Sequence, residues 1–323
     1  MKIFVTGGAG YVGSVCVEEL LQQGNEVIVF DNLSEGHRSA IDSRATFIQG
    51  DLNDPKSISL AISTVAPDAV MHFAANALVG ESSENPYKYF HNNVCGGLNL
   101  LHAMIENGVK QLVFSSTCAT FGIPENVPID ETTPQSPINP YGESKLMFEK
   151  ILRWFDQIHG LRFIALRYFN VAGASERFGE HHRVETHLIP RVLQVAFGQL
   201  EHVEIYGTDF PTPDGTCIRD YIHVRDLALA HILALSAQKS DFFNLGTGGG
   251  TSVKGVIDAC RKITGHAIPV VEKPRRAGDP PCLVAASEKV HRILGWKPQF
   301  ENIEVIVETA WHWHTAHSTG YQH

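Results

Sequence analysis

The sequence lacks three features that would direct it to other classes of protein: a basic excess, a long apolar run and paired cysteines. Among its 323 residues, 26 Lys and Arg stand against 35 Asp and Glu, a formal net charge of −9. A general nucleic-acid binder normally carries a basic excess or a basic stripe, so we expect no nucleic-acid partner. No apolar stretch approaches the about 20 residues of a membrane-spanning helix, so we expect no membrane association.

The few cysteines are scattered along the chain and form no C-x-x-C pair. They are Cys16, Cys95, Cys118, Cys217, Cys260 and Cys282. A chain of this length does not depend on disulfides, and a strand-like run begins at Lys2 without a signal-peptide pattern before it. These features predict a soluble, cytoplasmic protein with reduced thiols.

Short apolar runs alternate with amphipathic stretches through the first half of the chain. The runs predicted as strands are residues 3–5, 27–30, 46–48, 69–73, 111–114 and 163–167. The stretches with helical periodicity are residues 11–23, 55–65, 86–107 and 141–159. Continuous β-branched and aromatic runs are typical of strands that are covered on both faces, as in a parallel sheet. The alternation therefore predicts an α/β fold with a doubly wound parallel sheet of the Rossmann type.

The pattern becomes less regular after Asn170, where polar and Pro-rich segments separate the remaining helical stretches. The helices predicted there are residues 188–198, 224–237, 253–264 and 301–315. We interpret this part as a smaller C-terminal region made of segments that leave and re-enter the first domain. The predicted division is residues 1–171 plus 222–248 for the first domain, and residues 172–221 plus 249–323 for the second region.

A glycine-rich segment joins the first predicted strand to the first predicted helix. Gly7, Gly10 and Gly13 stand at G-x-x-G-x-x-G spacing. Glycines in this position permit a tight turn, a close approach of the backbone to a pyrophosphate and close packing of the helix on the strand. Taken alone the pattern would serve equally well as a turn, but its position at the start of a helix favours dinucleotide binding.

Two aspartates follow the next predicted strands. Asp31, followed by Asn32, lies close to the twenty-residue offset of the carboxylate that binds the adenosine ribose in dinucleotide-binding domains. A carboxylate there would repel a 2′-phosphate, which favours NAD over NADP; the alternative is a turn or helix-capping aspartate. Asp51 could contact the adenine amine, or equally well cap the helix that begins near Pro55.

Tyr141 and Lys145 are four residues apart on a predicted helix that begins near Pro140, so they lie on one face of it. A free tyrosine has a pKa near ~10, too high for a base at neutral pH. A neighbouring ammonium and the positive charge of an oxidised nicotinamide should both lower it. Because the pair follows a dinucleotide fingerprint, we prefer a catalytic pair over two surface residues. Thr117, at the carboxyl end of the fifth strand, could pass a proton between Tyr141 and the reacting oxygen.

These segments together resemble the extended short-chain dehydrogenase/reductase superfamily and, within it, the UDP-glucose 4-epimerase family. The resemblance rests on the glycine segment, Asp31-Asn32, and residues 72–75, 79–82, 92–94, 115–117, 141–145 and 167–170. It covers nearly the whole chain, down to residues 309–313. In the C-terminal half, residues 215–224 and 274–279 are similar to the family's UDP-contacting segments.

The resemblance implies roles for individual residues. The residues implied to bind NAD are Gly7, Gly10, Tyr11, Val12, Gly13, Asp31, Asn32, Asp51, Leu52, Phe73, Ala74, Ala75, Asn92, Ser115, Tyr141, Lys145 and Tyr168. Those implied to bind the UDP-sugar are Thr117, Tyr141, Asn170, His187, Leu188, Tyr206, Arg219, Arg276 and Asp279. Two arginines from separate loops can clamp a diphosphate with paired donors.

The implied reaction is a transient oxidation of a UDP-hexose at C4, interconverting UDP-galactose and UDP-glucose. Tyr141, assisted by Thr117, takes the hydroxyl proton while a hydride passes to NAD, and the 4-keto sugar then takes the hydride back on its other face. Related dehydratases carry an Asp-Glu pair after the active-site threonine, whereas Cys118 and Ala119 stand here. The alternatives are epimerisation of an N-acetylhexosamine, pentose or uronic acid, and a non-catalytic NAD-sensing protein. The resemblance also implies a homodimer that pairs the helices over residues 86–107 and 141–159.

Some positions depart from the family or have a simpler interpretation. Asn76-Ala77-Leu78 replaces residues that often contact the cofactor phosphate, and His187 stands where some members have asparagine. Leu283 resembles the residue that controls access of the sugar 2-substituent, which predicts activity on unmodified hexoses. The chain has 17 histidines, densest at His181-His182 and at residues 312–314, but without H-E-x-x-H spacing or a cysteine companion they predict no metal site.

Overall fold

The computed structural model describes residues 1–276 and 278–321. The strands are β1 (Lys2–Thr6), β2 (Glu26–Asp31), β3 (Thr46–Gln49), β4 (Ala69–His72), β5 (Gln111–Thr117), β6 (Arg162–Tyr168), β7 (Asn170–Ala172), β8 (Val203–Tyr206), β9 (Ile218–Arg219), β10 (Tyr221–His223), β11 (Asp241–Leu245), β12 (Thr251–Ser252), β13 (Val270–Lys273) and β14 (Cys282–Leu283). The α-helices are α1 (Tyr11–Gln22), α2 (Pro55–Val65), α3 (Val79–Glu84), α4 (Pro86–Phe90), α5 (Gly97–Glu106), α6 (Pro140–His159), α7 (Leu188–Ala196), α8 (Val224–Ala234), α9 (Val253–Thr264), α10 (Glu288–Leu294) and α11 (Ile303–Ala316).

A seven-stranded parallel sheet forms the centre, with the strand order β11-β6-β5-β4-β1-β2-β3. The chain moves outward from β1 to β2 and β3 on one side, and through β4, β5, β6 and β11 on the other. The order reverses between β1 and β4, and ligands bind such sheets in the crevice at the carboxyl ends of the strands beside that point. The predicted Rossmann-type fold is therefore confirmed.

Both faces of the sheet are covered, which is why its strands are continuous apolar runs. Alternate residues of a strand point to opposite faces. On β1, Ile3 and Val5 belong to the core cluster on one face, and Phe4 belongs to the cluster on the other. All three are fully buried.

The predicted strands and helices are present, and the helices over residues 55–65 and 253–264 have the predicted bounds. The helix predicted over residues 86–107 is present as an uninterrupted helical segment in which a π-helical turn at His91–Gly96 lies between α4 and α5. The fifth strand continues past Phe114 to Thr117. The helices α3 and α10 and the strands β7 to β14, all of them short, were not predicted.

The C-terminal region consists of short strand pairs and a separate apolar cluster. The pairs are β7 with β10, β8 with β13, and β9 between β12 and β14. The apolar cluster joins α7, α9 and α11 through Val192, Val256 and Val307. Trp296 and Trp313, by contrast, pack in the core cluster beside the central sheet. The division of the chain at residues 171, 222 and 248 stays a prediction.

Among the described helices, none combines the length and apolar character that a membrane crossing requires.

Candidate active site

The glycine segment connects β1 to α1 with almost no space for side chains. Gly7 has φ +74°, and a Cβ added to it would lie 2.4 Å from the Ala74 backbone nitrogen. A Cβ added to Gly13 would lie 2.2 Å from the Gly7 carbonyl oxygen. Gly10, the N-cap of α1, has no side-chain cap, and a Cβ there would contact only the Gly7 oxygen at 3.4 Å. The helix therefore presents an open positive end that an anionic group can approach.

A cleft lies along the carboxyl ends of β1, β2 and β4. The residues predicted to bind NAD that line it are Gly7, Gly10, Asp31, Asn32, Asp51, Leu52, Phe73, Ala74, Ala75 and Asn92. The lining residues not predicted as site residues are Phe30, Ser34, Glu35, Gly36, Gly50 and Asn76. Phe30, Gly50 and Asn76 are direct neighbours of predicted residues, whereas residues 34–36 belong to the loop after Asn32, and no sequence signal pointed to them.

The predicted residues of the first turn of α1 have other contacts. The Tyr11 hydroxyl donates a hydrogen bond to the Gly173 carbonyl (2.6 Å). Val12 packs against the core cluster beside the sheet, and Gly13 packs against Gly7. In these three residues the backbone amides, rather than the side chains, are oriented for a ligand at the helix end.

Asp31 links the two loops that border the cleft. Its Oδ2 accepts from the Ala9 amide (3.0 Å), and its Oδ1 accepts from the Leu33 amide (2.8 Å). Burial raises the pKa of Asp31, although these two hydrogen bonds oppose the rise. Each carboxylate oxygen keeps a lone pair for a further donor, such as a ribose hydroxyl.

Asp51 is part of a polar network on the opposite wall of the cleft. It accepts from the side chain of Asn32 (2.9 Å) and from the backbone and side chain of Asn53 (2.8 and 3.0 Å). Although burial opposes them, these hydrogen bonds lower its pKa. Asn53 also donates to Asn92 on the π-helical turn (3.3 Å). The alternative that Asp51 caps α2 is wrong, because Asp54 accepts from the first-turn amides.

Tyr141 and Thr117 meet at the carboxyl end of β5. Tyr141 is 8% exposed and Thr117 is 6% exposed. Burial and the nearby Tyr168 raise the pKa of Tyr141, and a hydrogen bond with Thr117 opposes the rise. In the protein alone the pKa of Tyr141 is therefore raised, and not lowered as the pairing with Lys145 predicted.

Lys145 lies one helical turn farther along α6 and is buried beneath β5. Its ammonium donates to the Ser115 carbonyl (2.8 Å) and lies 4.8 Å from the centre of the Phe114 ring. Burial lowers the pKa of Lys145 to about 7, although the charge of Glu149 opposes this. The Ser115 hydroxyl in turn bonds the Tyr168 hydroxyl (2.5 Å).

The two parts of the site are joined through His231. Its ring is 4.7 Å from the ring of Phe73, which lines the cleft, and 6.2 Å from the ring of Tyr168. Tyr168 pairs in register with Thr117 across β5 and β6. The structure thus places the predicted catalytic residues next to the predicted cofactor cleft.

A buried ion pair beneath the catalytic residues was not predicted. Glu149 accepts two hydrogen bonds from Arg167 (2.9 and 2.7 Å), and both side chains are 2% exposed. Ser116 (2.6 Å) and Gln135 (3.0 Å) also donate to Glu149. The only local signal was that Glu149 lies four residues after Lys145, on the same face of α6.

The predicted substrate residues of the C-terminal region form two pairs. Arg219 donates to Asp279 (2.8 Å) and to the Pro280 carbonyl (2.9 Å). The Arg276 guanidinium lies 3.7 Å from the centre of the Tyr206 ring. Both arginines are held in place through contacts that leave further N–H donors for a ligand. Ala277, between the two predicted UDP-contacting residues, lies outside the described residues.

Arg219 lies near Cys118, the residue that follows Thr117 at the end of β5. Burial raises the pKa of the Cys118 thiol to about 12, against the opposing charge of Arg219. Leu283 packs on the cluster that contains Cys118 and Phe169. The Asn170 amide donates to the Asp220 carbonyl (2.9 Å), which places Asn170 at the same junction. His187 and Leu188 are the N-cap and first residue of α7.

The comparisons with known proteins agree with this arrangement. A model of the NAD dependent epimerase/dehydratase family matches residues 3–246. The chain is 53% identical over 327 aligned residues to the UDP-glucose 4-epimerase of Lacticaseibacillus casei, with 99% of each chain covered.

Two solved structures show the same similarity. The UDP-glucose 4-epimerase of Brucella ovis in complex with NAD has a TM-score of 0.93 and 46% identity, covering 96% of this chain and 97% of that one. The UDP-glucose 4-epimerase of Bifidobacterium longum in complex with NAD+ and UDP has a TM-score of 0.95 and 38% identity, covering 99% and 100%.

Proposed function

Because the chain belongs to the NAD dependent epimerase/dehydratase family, we propose that it interconverts UDP-galactose and UDP-glucose by NAD-dependent epimerisation at C4. The observation that carries the proposal is the meeting of Tyr141 and Thr117 at the carboxyl end of β5, beside the cleft that begins at the glycine segment. The relatives named UDP-glucose 4-epimerase, which cover 99% of the chain, support the choice of substrate.

The cleft fits NAD. Its glycine segment leaves space at Gly10, where the uncapped end of α1 suits a pyrophosphate. Asp31 is placed to accept from ribose hydroxyls and would repel a 2′-phosphate. When bound there, NAD would supply the acceptor and donor of hydride, while the protein supplies orientation and electrostatics.

The chain's own residues then manage the proton. Tyr141 is the base that takes the proton of the C4 hydroxyl, and Thr117 aligns the two oxygens by hydrogen bonding. The charge of Lys145 and the positive charge of an oxidised nicotinamide would both stabilise the phenolate against the cost of burial. Cys118 and Ala119, which follow Thr117, provide no acid or base for eliminating water, so epimerisation is favoured over dehydration.

The UDP part is assigned to the C-terminal region. Arg219 and Arg276 would bind the diphosphate, with Asp279 accepting from ribose hydroxyls and Tyr206, Asn170, His187 and Leu188 completing the pocket. Leu283 packs against the buried cluster next to Thr117, which supports its proposed control over the sugar 2-substituent.

The test is proton NMR of UDP-galactose incubated with the purified protein and NAD, without added reductant. UDP-glucose should form, and Tyr141→Phe should remove most of the rate, since it deletes only the hydroxyl. Tyr87→Phe, at a tyrosine that is 74% exposed, is the matched control and should keep the wild-type rate. A parallel sample with UDP-N-acetylgalactosamine determines what Leu283 admits. If neither sugar changes, the hexose assignment is wrong.

We also propose a homodimer through α6. Met147, Trp154 and Ile158 are 37%, 60% and 66% exposed, and their spacing places them along one face of the helix. An exposed apolar face of this kind is typical of an interface. Trp154→Glu should give a monomer in light scattering, whereas Leu60→Glu, at an equally exposed apolar residue on α2, should not. A wild-type protein that is monomeric at working concentration would contradict this proposal.

The six cysteines are all free, which supports a reducing, cytoplasmic location.

A further inference from the structure

Four side chains of the loop between β7 and α7 converge on one point, away from the residues assigned to catalysis. This Glu/His cluster consists of Glu180, His182, Glu185 and His187, and one ligand atom from each lies within 4.8 Å of the others. The Glu180 Oε1 is 3.1 Å from the His182 Nε2 and 3.0 Å from the His187 Nδ1. The His187 Nδ1 is also 2.9 Å from the Glu185 Oε1.

The two carboxylates are nearly inaccessible to solvent. The side chains of Glu180 and Glu185 are 6% and 9% exposed. Within residues 1–276 and 278–321, no Lys or Arg lies at ion-pair distance from either one. Buried carboxylates require a compensating positive charge.

Protonated histidines are one compensation for these carboxylates. Against the effect of burial, the contacts with Glu180 raise the pKa of both His182 and His187. A single divalent cation is the other compensation, because two imidazoles and two carboxylates form a donor set for such an ion. The geometry suits it: the rings of His182 and His187 are 4.9 Å apart, and both direct a nitrogen at the same oxygen of Glu180.

We propose that the Glu/His cluster binds one divalent transition-metal ion of the zinc type. The ligands are the His182 Nε2, the His187 Nδ1 and one oxygen from each of Glu180 and Glu185. Metal–ligand bonds of about 2.0–2.2 Å in a tetrahedral site separate the ligand atoms by about 3.3 Å. The three short separations need to open by a few tenths of an ångström, and the wider separations among the four atoms, which reach as much as 4.8 Å, need to close to the same value. The expectation of no metal, drawn from the lack of H-E-x-x-H spacing, is replaced by this proposal.

The position of the Glu/His cluster assigns the ion a structural role. His187 is the N-cap of α7, and His182 packs edge-on against Tyr11 at a ring distance of 6.4 Å. Tyr11 is the first residue of α1 and holds the same loop through its bond to Gly173. The ion would therefore fix the loop between β7 and α7 against the start of α1. His187 is also assigned to the proposed UDP pocket, so the metal site shares this one residue with that pocket, and a titration without any UDP-sugar tests the metal site separately.

The test uses the full chain without a polyhistidine tag, stripped of metal with a chelator and titrated with Co²⁺ or Zn²⁺. Co²⁺ should bind with a stoichiometry of one and show the visible absorption of a tetrahedral nitrogen–oxygen site, and Zn²⁺ should displace it. Zn²⁺ should also raise the melting temperature of the stripped protein.

The variants His182→Asn and Glu185→Gln should each weaken metal binding at least about 100-fold. His102→Asn is the matched control. His102 also pairs with a glutamate, Glu106, but on an exposed helix face outside the Glu/His cluster, so this variant should leave metal binding unchanged. If the wild-type protein binds no Co²⁺ in the micromolar range, or binds it no better than His182→Asn, the Glu/His cluster is only a network of ion pairs. Because the wild-type titration decides the point alone, poor folding of a variant would not obscure it.

Discussion

Replacing Glu149 by glutamine should destabilise the protein strongly, although glutamate and glutamine side chains have the same shape. Glu149 receives four hydrogen bonds, two of them from Arg167, and both side chains are 2% exposed. An amide would leave the buried guanidinium without a counter-charge and would turn an NH₂ group toward its donors in either orientation. Removing one partner of a buried pair typically costs about 3–5 kcal/mol, a large part of the about 5–15 kcal/mol that keeps a protein folded.

Urea denaturation of wild type and Glu149→Gln measures this loss. Glu304→Gln is the matched control, since Glu304 pairs with Lys262 on the surface, where the side chains are 37% and 67% exposed. Such pairs contribute at most about 1 kcal/mol. The double variant Glu149→Met/Arg167→Met should recover part of the loss, because it removes both charges. If Glu149→Gln costs no more than Glu304→Gln, burial does not make the Glu149–Arg167 pair costlier to break than a surface pair.

Other predictions follow from the site. Gly13→Ala should cost about 1–3 kcal/mol, because the added Cβ meets the Gly7 backbone at 2.2 Å; Gly80→Ala, with nothing within 4 Å, should be neutral or stabilising by up to about 1 kcal/mol in the same urea assay. Burial lowers the pKa of Lys145 from 10.5 to about 7, so the unfolded chain binds more protons between these values and the free energy of unfolding should rise with pH there. Lys145→Met should flatten that rise in urea titrations between pH 7 and 9.5, and an unchanged slope would show that Lys145 is not buried as described. Asp31→Asn should weaken NAD binding about tenfold or more by calorimetry, because a charged acceptor is lost; unchanged affinity would place the ribose elsewhere.

Much of the fold could be predicted because its signals are local. The strand over residues 27–30 is a continuous apolar run, and the helix over residues 253–264 lies between a capping Ser252 and Gly265, which has φ +71°. β11 was missed because it begins with an aspartate and contains an asparagine. The backbone amide of its Asn244 donates to Glu131 and the side-chain amide donates to the Ile129 carbonyl, both more than a hundred residues away. The π-helical turn likewise contains a residue with a distant contact, because Asn92 accepts a hydrogen bond from Asn53.

The same distinction applies to the site. The glycine segment, Asp31 and the Tyr141–Lys145 pair have fixed spacing or a fixed place after a strand, so the sequence could indicate them. The capping choice between Asp51 and Asp54 could also have been made, because Asp54 directly precedes Pro55 at the first helical position. The pairing of Arg219 with Asp279 joins residues 60 positions apart, and only the folded chain brings them together.

Burial shifts the pKa values of Tyr141 and Lys145 in opposite directions, and these shifts determine when Tyr141 can act as a base. It raises the pKa of the phenol and lowers the pKa of the ammonium to about 7, so the protein alone favours the neutral form of Tyr141 and holds Lys145 near its point of titration. A base whose neutral form is stabilised in this way takes a proton effectively only when further positive charge lies close to it. On the proposed function, the cation that the cleft would hold is the oxidised nicotinamide. Tyr141 would then become a base only in the state in which hydride can also be accepted, so proton removal is tied to oxidation and the buried site is protected from side reactions.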